Sequence, residues 1–185
     1  MKTLFRTLQI LSEPELDMLD DVVTERSLKK QEYLIRENVV CDEIVFIKSG
    51  ALRSFYVNNE GDEITNCITF EKELMSAFSS FITQKSTDEN IQAIFDSELE
   101  ILHRKDLEKL YQENINWQKV GRILAESQYV QLERRIASFQ KYTGKERYKE
   151  LFQQHPKYIQ LIPLQYLASF LGMTPRHLSR IRKAV

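Results

Sequence analysis

The chain has few of the residues that interrupt or cross-link a fold, because its 185 residues include only 5 Gly, 4 Pro and 2 Cys. This scarcity of Gly and Pro excludes collagen-like and low-complexity proteins. Cys41 and Cys67 lack a CxxC spacing, and two cysteines cannot build a disulfide framework, a four-thiolate iron–sulfur cluster or a four-cysteine zinc site. We therefore expect two reduced thiols, no bound metal and no other cofactor.

The chain also lacks long apolar runs and the motifs of a catalytic site. Its longest uncharged stretch, residues 158–175, is interrupted by Gln, Pro and Gly, and its first residues contain no apolar core of signal-peptide length. The sequence shows no nucleophile–base pair, metal-ligand cluster or glycine-rich phosphate loop. We expect a cytoplasmic protein that is not an enzyme and has no membrane partner.

Acidic residues are scarce at one end of the chain. Residues 1–114 hold 13 Lys or Arg and 23 Asp or Glu, a net charge of −10, whereas residues 115–185 hold 13 and 4, a net charge of +9. No Asp or Glu follows Glu150. This asymmetry indicates a nucleic-acid-binding end, although two solvated faces of opposite sign would give the same totals.

Short strand-like runs separated by turns fill residues 22–102. Along residues 63–70 the side chains alternate between two faces, as in a half-buried strand, and Asn58-Asn59-Glu60-Gly61 predicts a hairpin turn. Several short strands with turns favour a sandwich or a barrel-like roll. Ahead of them, Ser12 and Glu15 have the spacing of a helix capping box. We expect these strands to form an N-terminal domain at residues 1–114.

Residues 115–142 predict one long helix, since Gly121 is the only Gly or Pro among them. Apolar residues follow a helical spacing on more than one face, so the helix should pack on more than one side. A core helix within a monomer is one solution, and a helix that binds a second copy of the chain is the other. We expect the second, with the dimer contacts made by Val120, Ile123, Ser127 and Val130.

The last domain is expected at residues 143–185 and begins at Thr143-Gly144, where a glycine is typical of a helix end. Within it, two short helices meet at Gly172, and Thr174 and Pro175 suit the N-cap and first turn of the second helix. This is the pattern of a helix-turn-helix. On a helical wheel, the residues expected to face the core are Leu178, Ile181 and Val185.

The opposite side of that second helix is polar and basic. Arg suits the guanine edge in a duplex, whereas Lys, Ser and a helix N-terminus suit phosphate. A solvated helix end, where cations are common, is the alternative. The residues expected to contact DNA are Thr174, Arg176, His177, Ser179, Arg180, Arg182 and Lys183.

The string LASFLGMTPRHLSRIRK resembles the recognition element of the Crp/Fnr family of bacterial transcription regulators. The β-roll of the cyclic-nucleotide-binding type in that family is similar to KKQEYLIRENVVCDEIVFIKSGALRSFYVNNEGDE. The resemblance implies an α+β fold: an N-terminal antiparallel β-roll (double-stranded β-helix or jelly-roll-like), a long dimerisation helix and a small C-terminal helix-turn-helix domain. It also implies a homodimer that binds double-stranded DNA at a palindromic operator, with RNA polymerase as a further partner.

The sequence departs from this family in the effector pocket. Members that bind cyclic AMP carry Gly-Glu followed by Arg-Ser or Arg-Thr, whereas Lys72 stands here at the Gly and no Arg occurs between Arg53 and Arg104. The phosphate would lose its Arg partner, and a Lys could replace it only as a point charge. Lys72 would also restrict the backbone. We expect no response to cyclic AMP and an unidentified small-molecule effector, with a pocket formed by Glu73, Phe78, Phe81 and Lys85.

Two functions are therefore compatible with the sequence. The first is a DNA-binding transcriptional regulator whose sensor roll has an unknown or degenerate effector pocket. The alternative is a cyclic-nucleotide-binding-like module that binds a ligand or a protein without specific DNA binding. Salt-dependent DNA binding separates them, because phosphate contacts release counterions.

Overall fold

The structure, a computed structural model, describes residues 1–183 except the side chains of Lys157 and Tyr158, so Val185 lies outside it. The helices are α1 (Lys2–Thr7), α2 (Glu13–Asp17), α3 (Phe78–Thr83), α4 (Arg104–Glu113), α5 (Ile115–Lys141), α6 (Gly144–Gln154), α7 (Pro156–Leu161), α8 (Leu164–Phe170) and α9 (Pro175–Lys183). The strands are β1 (Val23–Leu28), β2 (Tyr33–Ile35), β3 (Glu43–Ser49), β4 (Ala51–Val57), β5 (Glu63–Phe70), β6 (Leu74–Met75), β7 (Asn90–Ala93) and β8 (Ser97–His103). A 3-10 turn at Met18–Asp21 follows α2.

The strands form two four-stranded sheets, in the orders β1-β8-β3-β6 and β2-β7-β4-β5. Strand β8 pairs antiparallel with β1, where Val23 lies opposite Leu102, and with β3, where Glu43 lies opposite His103. Strands β2 and β7, and β3 and β6, also pair antiparallel. The expected α+β class, with an antiparallel roll, a long helix and C-terminal helices, is confirmed.

The chain packs as two compact units. The first, called the roll unit below, contains residues 1–54 and 69–127, and the second, called the C-terminal unit, contains residues 55–68 and those from 128 onward. The tip of the β4–β5 hairpin thus belongs to the C-terminal unit, and α5 contributes to both. The three domains drawn from the sequence place their boundaries elsewhere and stay a prediction.

The core of the roll unit is built from inward-facing residues of the strands and from helices that pack on them. Val45 and Ile47 lie two positions apart on β3, so their side chains point to the same side of the sheet, and both are fully buried. Trp117, near the start of α5, is also fully buried, and its ring meets that of Phe5 edge to face at a centroid distance of 5.5 Å. The first turns of α5 therefore belong to this core.

Local sequence signals explain several chain reversals. The capping box forms as expected, with the backbone N–H of Ser12 donating to Glu15 Oε2 at 2.6 Å. In the β4–β5 hairpin, Asn58 Oδ1 accepts hydrogen bonds from the backbone N–H groups of Glu60 and Asp62. The side-chain amide therefore holds the predicted turn in place.

Thr143-Gly144 plays a different role from the one expected. Helix α5 ends at Lys141, and Thr143 is the N-cap of α6, with a capping box to Glu146. Gly144 is the first residue of α6 rather than the residue that stops α5. The Thr-x-x-Glu spacing was the relevant signal, because it satisfies two N–H groups at the start of a helix.

Helix α5 is 27 residues long, enough to span a bilayer by length alone. It carries Lys, Arg and Glu along its course. Within residues 1–183, no helix combines the length and the apolar character needed to cross a membrane.

Candidate nucleic-acid interface

Helices α8 and α9 form the helix-turn-helix that the sequence predicts. Between them Gly172 adopts a left-handed φ of +65°, which an L-residue rarely adopts without strain. A Cβ at this position would also come within 2.5 Å of Phe139 Cε1. Leu167 and Leu178 are fully buried, so the two helices turn their apolar sides inward. The turn therefore requires glycine for both its backbone conformation and its close packing.

The outward side of α9 is cationic. Arg176, Arg180 and Lys183 are exposed, whereas Leu178 and Ile181 are buried. The three cations are spaced i, i+4 and i+7 and therefore share one face of the helix. This is the face on which the sequence placed the DNA contacts.

The start of α9 is fixed by its N-cap. Thr174 Oγ1 accepts a hydrogen bond from the backbone N–H of His177 at 3.2 Å. Both side chains are exposed, and Ser179, one turn further on, is half-buried. Thr174 therefore orients the helix end, and the N–H groups not used by its hydroxyl remain suited to phosphate.

Arg182 has a different environment from the other predicted contacts. Its Nη2 donates to the backbone carbonyl of Ile159 in α7 at 2.7 Å, and its side chain is half-buried. This hydrogen bond ties α9 to α7 and engages one nitrogen of the guanidinium. A contact of Arg182 with DNA stays a prediction.

Two further arginines, which the sequence did not single out, hold the turn of the motif. Arg147 donates to the carbonyl of Leu171 from Nε at 3.0 Å and from Nη2 at 2.9 Å, and Arg135 Nη2 donates to that of Phe170 at 3.2 Å. Burial lowers the pKa of the Arg135 guanidinium, and the nearby charge of Arg147 also lowers it. Their spacing in the sequence gives no sign of this shared role, which arises from packing.

The four residues predicted to make the dimer do not share one environment. Val120 is 2% exposed in the core of the roll unit, so it is not available to a second chain. Ile123 is half-buried, and Ser127 and Val130 are exposed. Val120 is therefore corrected to a core residue, because Trp117 and its neighbours draw that side of α5 inward.

A different stripe of α5 is exposed and apolar. Its members follow the alternating 4-3 spacing of a coiled-coil seam. The stripe consists of Ala125, Tyr129, Leu132, Ile136 and Phe139. The last four are large side chains, and the exposed fraction of their surface is 64%, 56%, 53% and 41%, in that order.

The four residues assigned to the effector pocket also have separate roles. Phe81 is buried in the apolar core of the roll unit, Phe78 is half-buried and Lys85 is exposed. Glu73 Oε2 accepts a hydrogen bond from the backbone N–H of Phe70 at 2.9 Å, so it closes its own turn. Their roles in binding an effector stay a prediction.

Lys72 does not restrict the backbone in the way we expected. Its φ is +71°, the left-handed region that favours glycine, and its N–H donates to the carbonyl of Ile47 at 2.7 Å. The turn therefore keeps the conformation suited to glycine despite the side chain. A cost of about 1 kcal/mol for this conformation is tolerated because the hydrogen bond and the adjacent strands fix it.

The roll unit contains a buried cation that the sequence did not single out. Arg53 is 1% exposed, and its Nε and Nη2 donate to Gln92 Oε1 at 3.2 and 2.8 Å. Gln92 Nε2 in turn donates to the backbone carbonyl of Gln31 at 3.0 Å. This network joins β4 to β7 within their sheet.

Asp42, Glu43 and His103 place three atoms of metal-ligand type within 4.8 Å of one another. The Glu43 carboxylate, however, is bound on both oxygens by Arg26, at 2.8 and 3.0 Å. That cation already balances the buried carboxylate. The group is therefore better described as an ion pair beside a histidine than as a metal centre.

Comparison with known proteins gives a domain assignment for part of the chain. Residues 25–114 match the model of the cyclic nucleotide-binding domain. Among curated proteins, the chain is 22% identical over 100 residues to the anaerobic regulatory protein of Bacillus subtilis (strain 168). That match covers 54% of this chain and 42% of the relative, so the chain aligns with less than half the length of this relative.

Solved structures extend the similarity to most of the chain. FixK2 from Bradyrhizobium japonicum superposes with a TM-score of 0.78 at 17% identity, over 88% of this chain and 84% of that one. A transcriptional regulator of the crp/fnr family from Eubacterium rectale gives 0.72 at 19%, over 98% and 87%. At these identities the comparison establishes the fold.

Proposed function

We propose that this protein is a transcriptional regulator that binds DNA. Its fold, which is that of the Crp/Fnr regulators, and the match of residues 25–114 to the cyclic nucleotide-binding domain support this proposal. The observation that carries the proposal is the cationic outer face of α9, with Arg176, Arg180 and Lys183 exposed over the buried Leu178 and Ile181. No catalytic activity is part of it, and its site of action is the cytoplasm, where the DNA lies.

The chemistry of this face suits a duplex. The guanidinium groups of Arg176 and Arg180 can each make two hydrogen bonds to the O6 and N7 of a guanine in the major groove. Lys183 offers a point charge suited to a phosphate, and the N-terminus of α9 at Thr174 adds backbone N–H groups of the same preference. The two arginines would thus carry base preference, while the other groups would carry affinity.

We further propose that the protein acts as a homodimer through the exposed stripe of α5. A seam of alternating 4-3 spacing buries best against a copy of itself, and a two-fold dimer presents two recognition helices. Such helices read half-sites about 34 Å apart, which makes the expected operator a palindrome. If the protein activates transcription, RNA polymerase is its further partner, whereas a repressor needs no such contact.

Cyclic AMP is not the effector in this proposal. The segment aligned with the phosphate cassette offers Lys85 and Asp88, both exposed, and Thr87, whose Oγ1 accepts the N–H of Glu89 at 2.9 Å. An anion in a partly desolvated roll needs a paired and hydrogen-bonded partner, and Asp88 would repel it. The effector is therefore a different small molecule, or the roll has lost its response.

The decisive experiment selects a preferred site from random DNA and measures affinity for it and for a scrambled duplex across a salt series. Arg176→Ala and Arg180→Ala should each weaken the selected site by about 1–3 kcal/mol and relax base preference. Lys183→Ala should weaken both duplexes equally and reduce the salt slope by about 1. Lys105→Ala, an exposed cation on α4, is the matched control and should change neither.

A wild-type protein without salt-dependent binding to any duplex would overturn the proposal in favour of a ligand- or protein-binding module. Isothermal titration with cyclic AMP and cyclic GMP tests the effector separately. Micromolar binding of either nucleotide, abolished by Lys85→Ala, would show that the cassette works despite its missing arginine.

A further inference from the structure

The turn of the helix-turn-helix is held at four consecutive residues by segments outside the motif. Ser169 contacts strand β5, while Arg135 and Arg147 bind the carbonyls of Phe170 and Leu171. At Gly172 a Cβ would lie 2.5 Å from Phe139 Cε1, so the phenylalanine ring would have to move to admit it. All of these groups belong to the C-terminal unit. We call residues 169–172 the motif turn.

Ser169 makes the contact that differs most from ordinary helix packing. Its Oγ accepts a hydrogen bond from the backbone N–H of Thr65 at 2.9 Å and donates to the carbonyl of Glu63 at 3.3 Å. Strand β5 is the last in its sheet order, so its outer edge presents backbone groups that need partners. One serine hydroxyl supplies both the acceptor and the donor that a neighbouring strand would supply.

The hairpin that Ser169 binds is continuous with the roll. Strand β4 starts in the roll unit and strand β5 ends in it, whereas the segment 55–68 between these ends packs with the C-terminal unit. Arg53, in the buried network with Gln92, lies two residues before this segment on β4. Thr65 is therefore joined to the roll unit through the backbone of β5, which re-enters that unit at Thr69.

We propose that Ser169 is a positioning residue for DNA binding, which couples the β4–β5 hairpin to the orientation of the recognition helix α9. This rests on the proposed function. In this proposal the bonded arrangement, in which Arg176, Arg180 and Lys183 are exposed, is the one that binds DNA. Loss of the hydrogen bonds between Ser169 and β5 removes one of the contacts that fix the motif turn. Affinity for DNA is then lower, although no group that touches DNA has changed.

The test combines affinity with amide exchange in the full-length protein, using the selected duplex. Ser169→Ala removes both hydrogen bonds and should weaken binding about 2- to 10-fold, the range for a lost neutral hydrogen bond. Ser169→Thr keeps the hydroxyl and should restore affinity. Ser79→Ala, at an exposed serine on α3, is the matched control and should bind as the wild type does.

Hydrogen exchange at the Thr65 amide gives the readout that a merely structural role would not move. If the bond and DNA binding favour each other, linkage requires DNA to slow exchange at Thr65 in the wild type and in Ser169→Thr. In Ser169→Ala the amide should exchange faster and no longer respond to DNA. The Ala93 amide, bonded to the Glu32 carbonyl at 2.9 Å, serves as the internal reference and should not change.

The outcomes separate this inference from the proposed function. A wild type that binds DNA, together with a Ser169→Ala protein of equal affinity and a Thr65 amide that ignores DNA, overturns the coupling alone. A wild type that binds no duplex overturns both, and the Ser169→Ala exchange at Thr65 then still reports whether the contact exists in solution.

Discussion

The two halves of helix α5 differ in the exposure of their apolar side chains although they form one uninterrupted helix. In the first half, Trp117 and Val120 are almost completely buried and Leu124 packs against the same core, while Lys119 and Arg122 are exposed. This half behaves as an ordinary amphipathic helix on the surface of a domain.

The second half exposes its apolar side chains. Tyr129, Leu132 and Ile136 each leave more than half of their surface in contact with solvent. Exposed apolar stripes of this kind mark interaction sites on soluble proteins. Apolar residues therefore serve the fold in one half and, in the proposed dimer, an intermolecular contact in the other. The two apolar faces lie about 100° apart around the helix axis.

The largest effect should come from breaking the buried half. Trp117→Ala removes a fully buried ring and its edge-to-face contact with Phe5, and we expect a loss of about 3–5 kcal/mol in the free energy of unfolding. Denaturant unfolding measures it.

Trp117→Phe is the matched control for this change. The indole N–H has no hydrogen-bond partner among the described residues, so phenylalanine removes an unsatisfied donor and should cost less than about 1.5 kcal/mol. A loss as large as that of the alanine variant would mean that the indole N–H has a partner in solution.

The exposed half should respond in assembly rather than in stability. Leu132→Asp combined with Ile136→Asp places unpaired charge in the proposed seam, and we expect the dimer dissociation constant to rise at least 100-fold, or about 3 kcal/mol. Sedimentation equilibrium measures it, while the unfolding of the roll unit should stay unchanged.

Ile123→Asp sharpens this comparison, because it tests the face that the sequence alone suggested. Ile123 is half-buried and lies off the exposed stripe. A dimer split by Ile123→Asp but not by the Leu132/Ile136 pair would return the seam to the sequence-based assignment.

A smaller effect is expected where the second half meets the motif turn. Gly172→Ala combines a left-handed φ with a Cβ 2.5 Å from Phe139 Cε1, and should destabilise the C-terminal unit by about 2 kcal/mol. Gly61→Ala has a φ of +86° but nothing within 4 Å of the new Cβ, so it isolates the backbone strain alone and should cost about 1 kcal/mol. Equal losses in a thermal melt would show that the contact with Phe139 yields easily.

The smallest effect concerns Glu15 of α2, whose carboxylate accepts a hydrogen bond from Asn116 near the start of α5. Hydrogen bonds from the backbone N–H and hydroxyl of Ser12, and then from Asn116, lower the pKa of Glu15 from 4.5 to about 2. A carboxyl group whose pKa is lower in the folded state stabilises the folded protein above pH 4.5, and this stabilisation is lost as the pH falls toward 2. Glu15→Gln should therefore cost about 1 kcal/mol at pH 6, a value discounted for partial exposure, and much less at pH 2.5. A difference that does not change between these pH values would contradict the assignment.

The sequence predicted the helix-turn-helix well because its signals are local. Thr174 caps its own helix, Gly172 marks its own turn, and the spacing of Leu178 and Ile181 identifies the buried side. The helical wheel gave the side of α9 on which Arg182 lies but not its hydrogen bond to the carbonyl of Ile159.

The sequence served less well wherever two apolar faces competed. Val120 and Leu132 are both apolar positions of α5, and nothing local states that the first faces the roll and the second faces solvent. The same limit applies to the hydrogen bonds that join Ser169 to Thr65, Arg135 to Phe170 and Arg147 to Leu171, which span 24 to 104 positions.

The sequence by itself determined which elements form, because capping, turn chemistry and periodicity act within a few residues. It also determined the charge division that indicates nucleic acid, since composition needs no coordinates. Only the tertiary structure decided which face of α5 is free, which arginines hold the motif turn and where Ser169 meets β5. These outcomes depend on long-range packing, in which each apolar side chain is buried by whichever segments the whole chain brings against it.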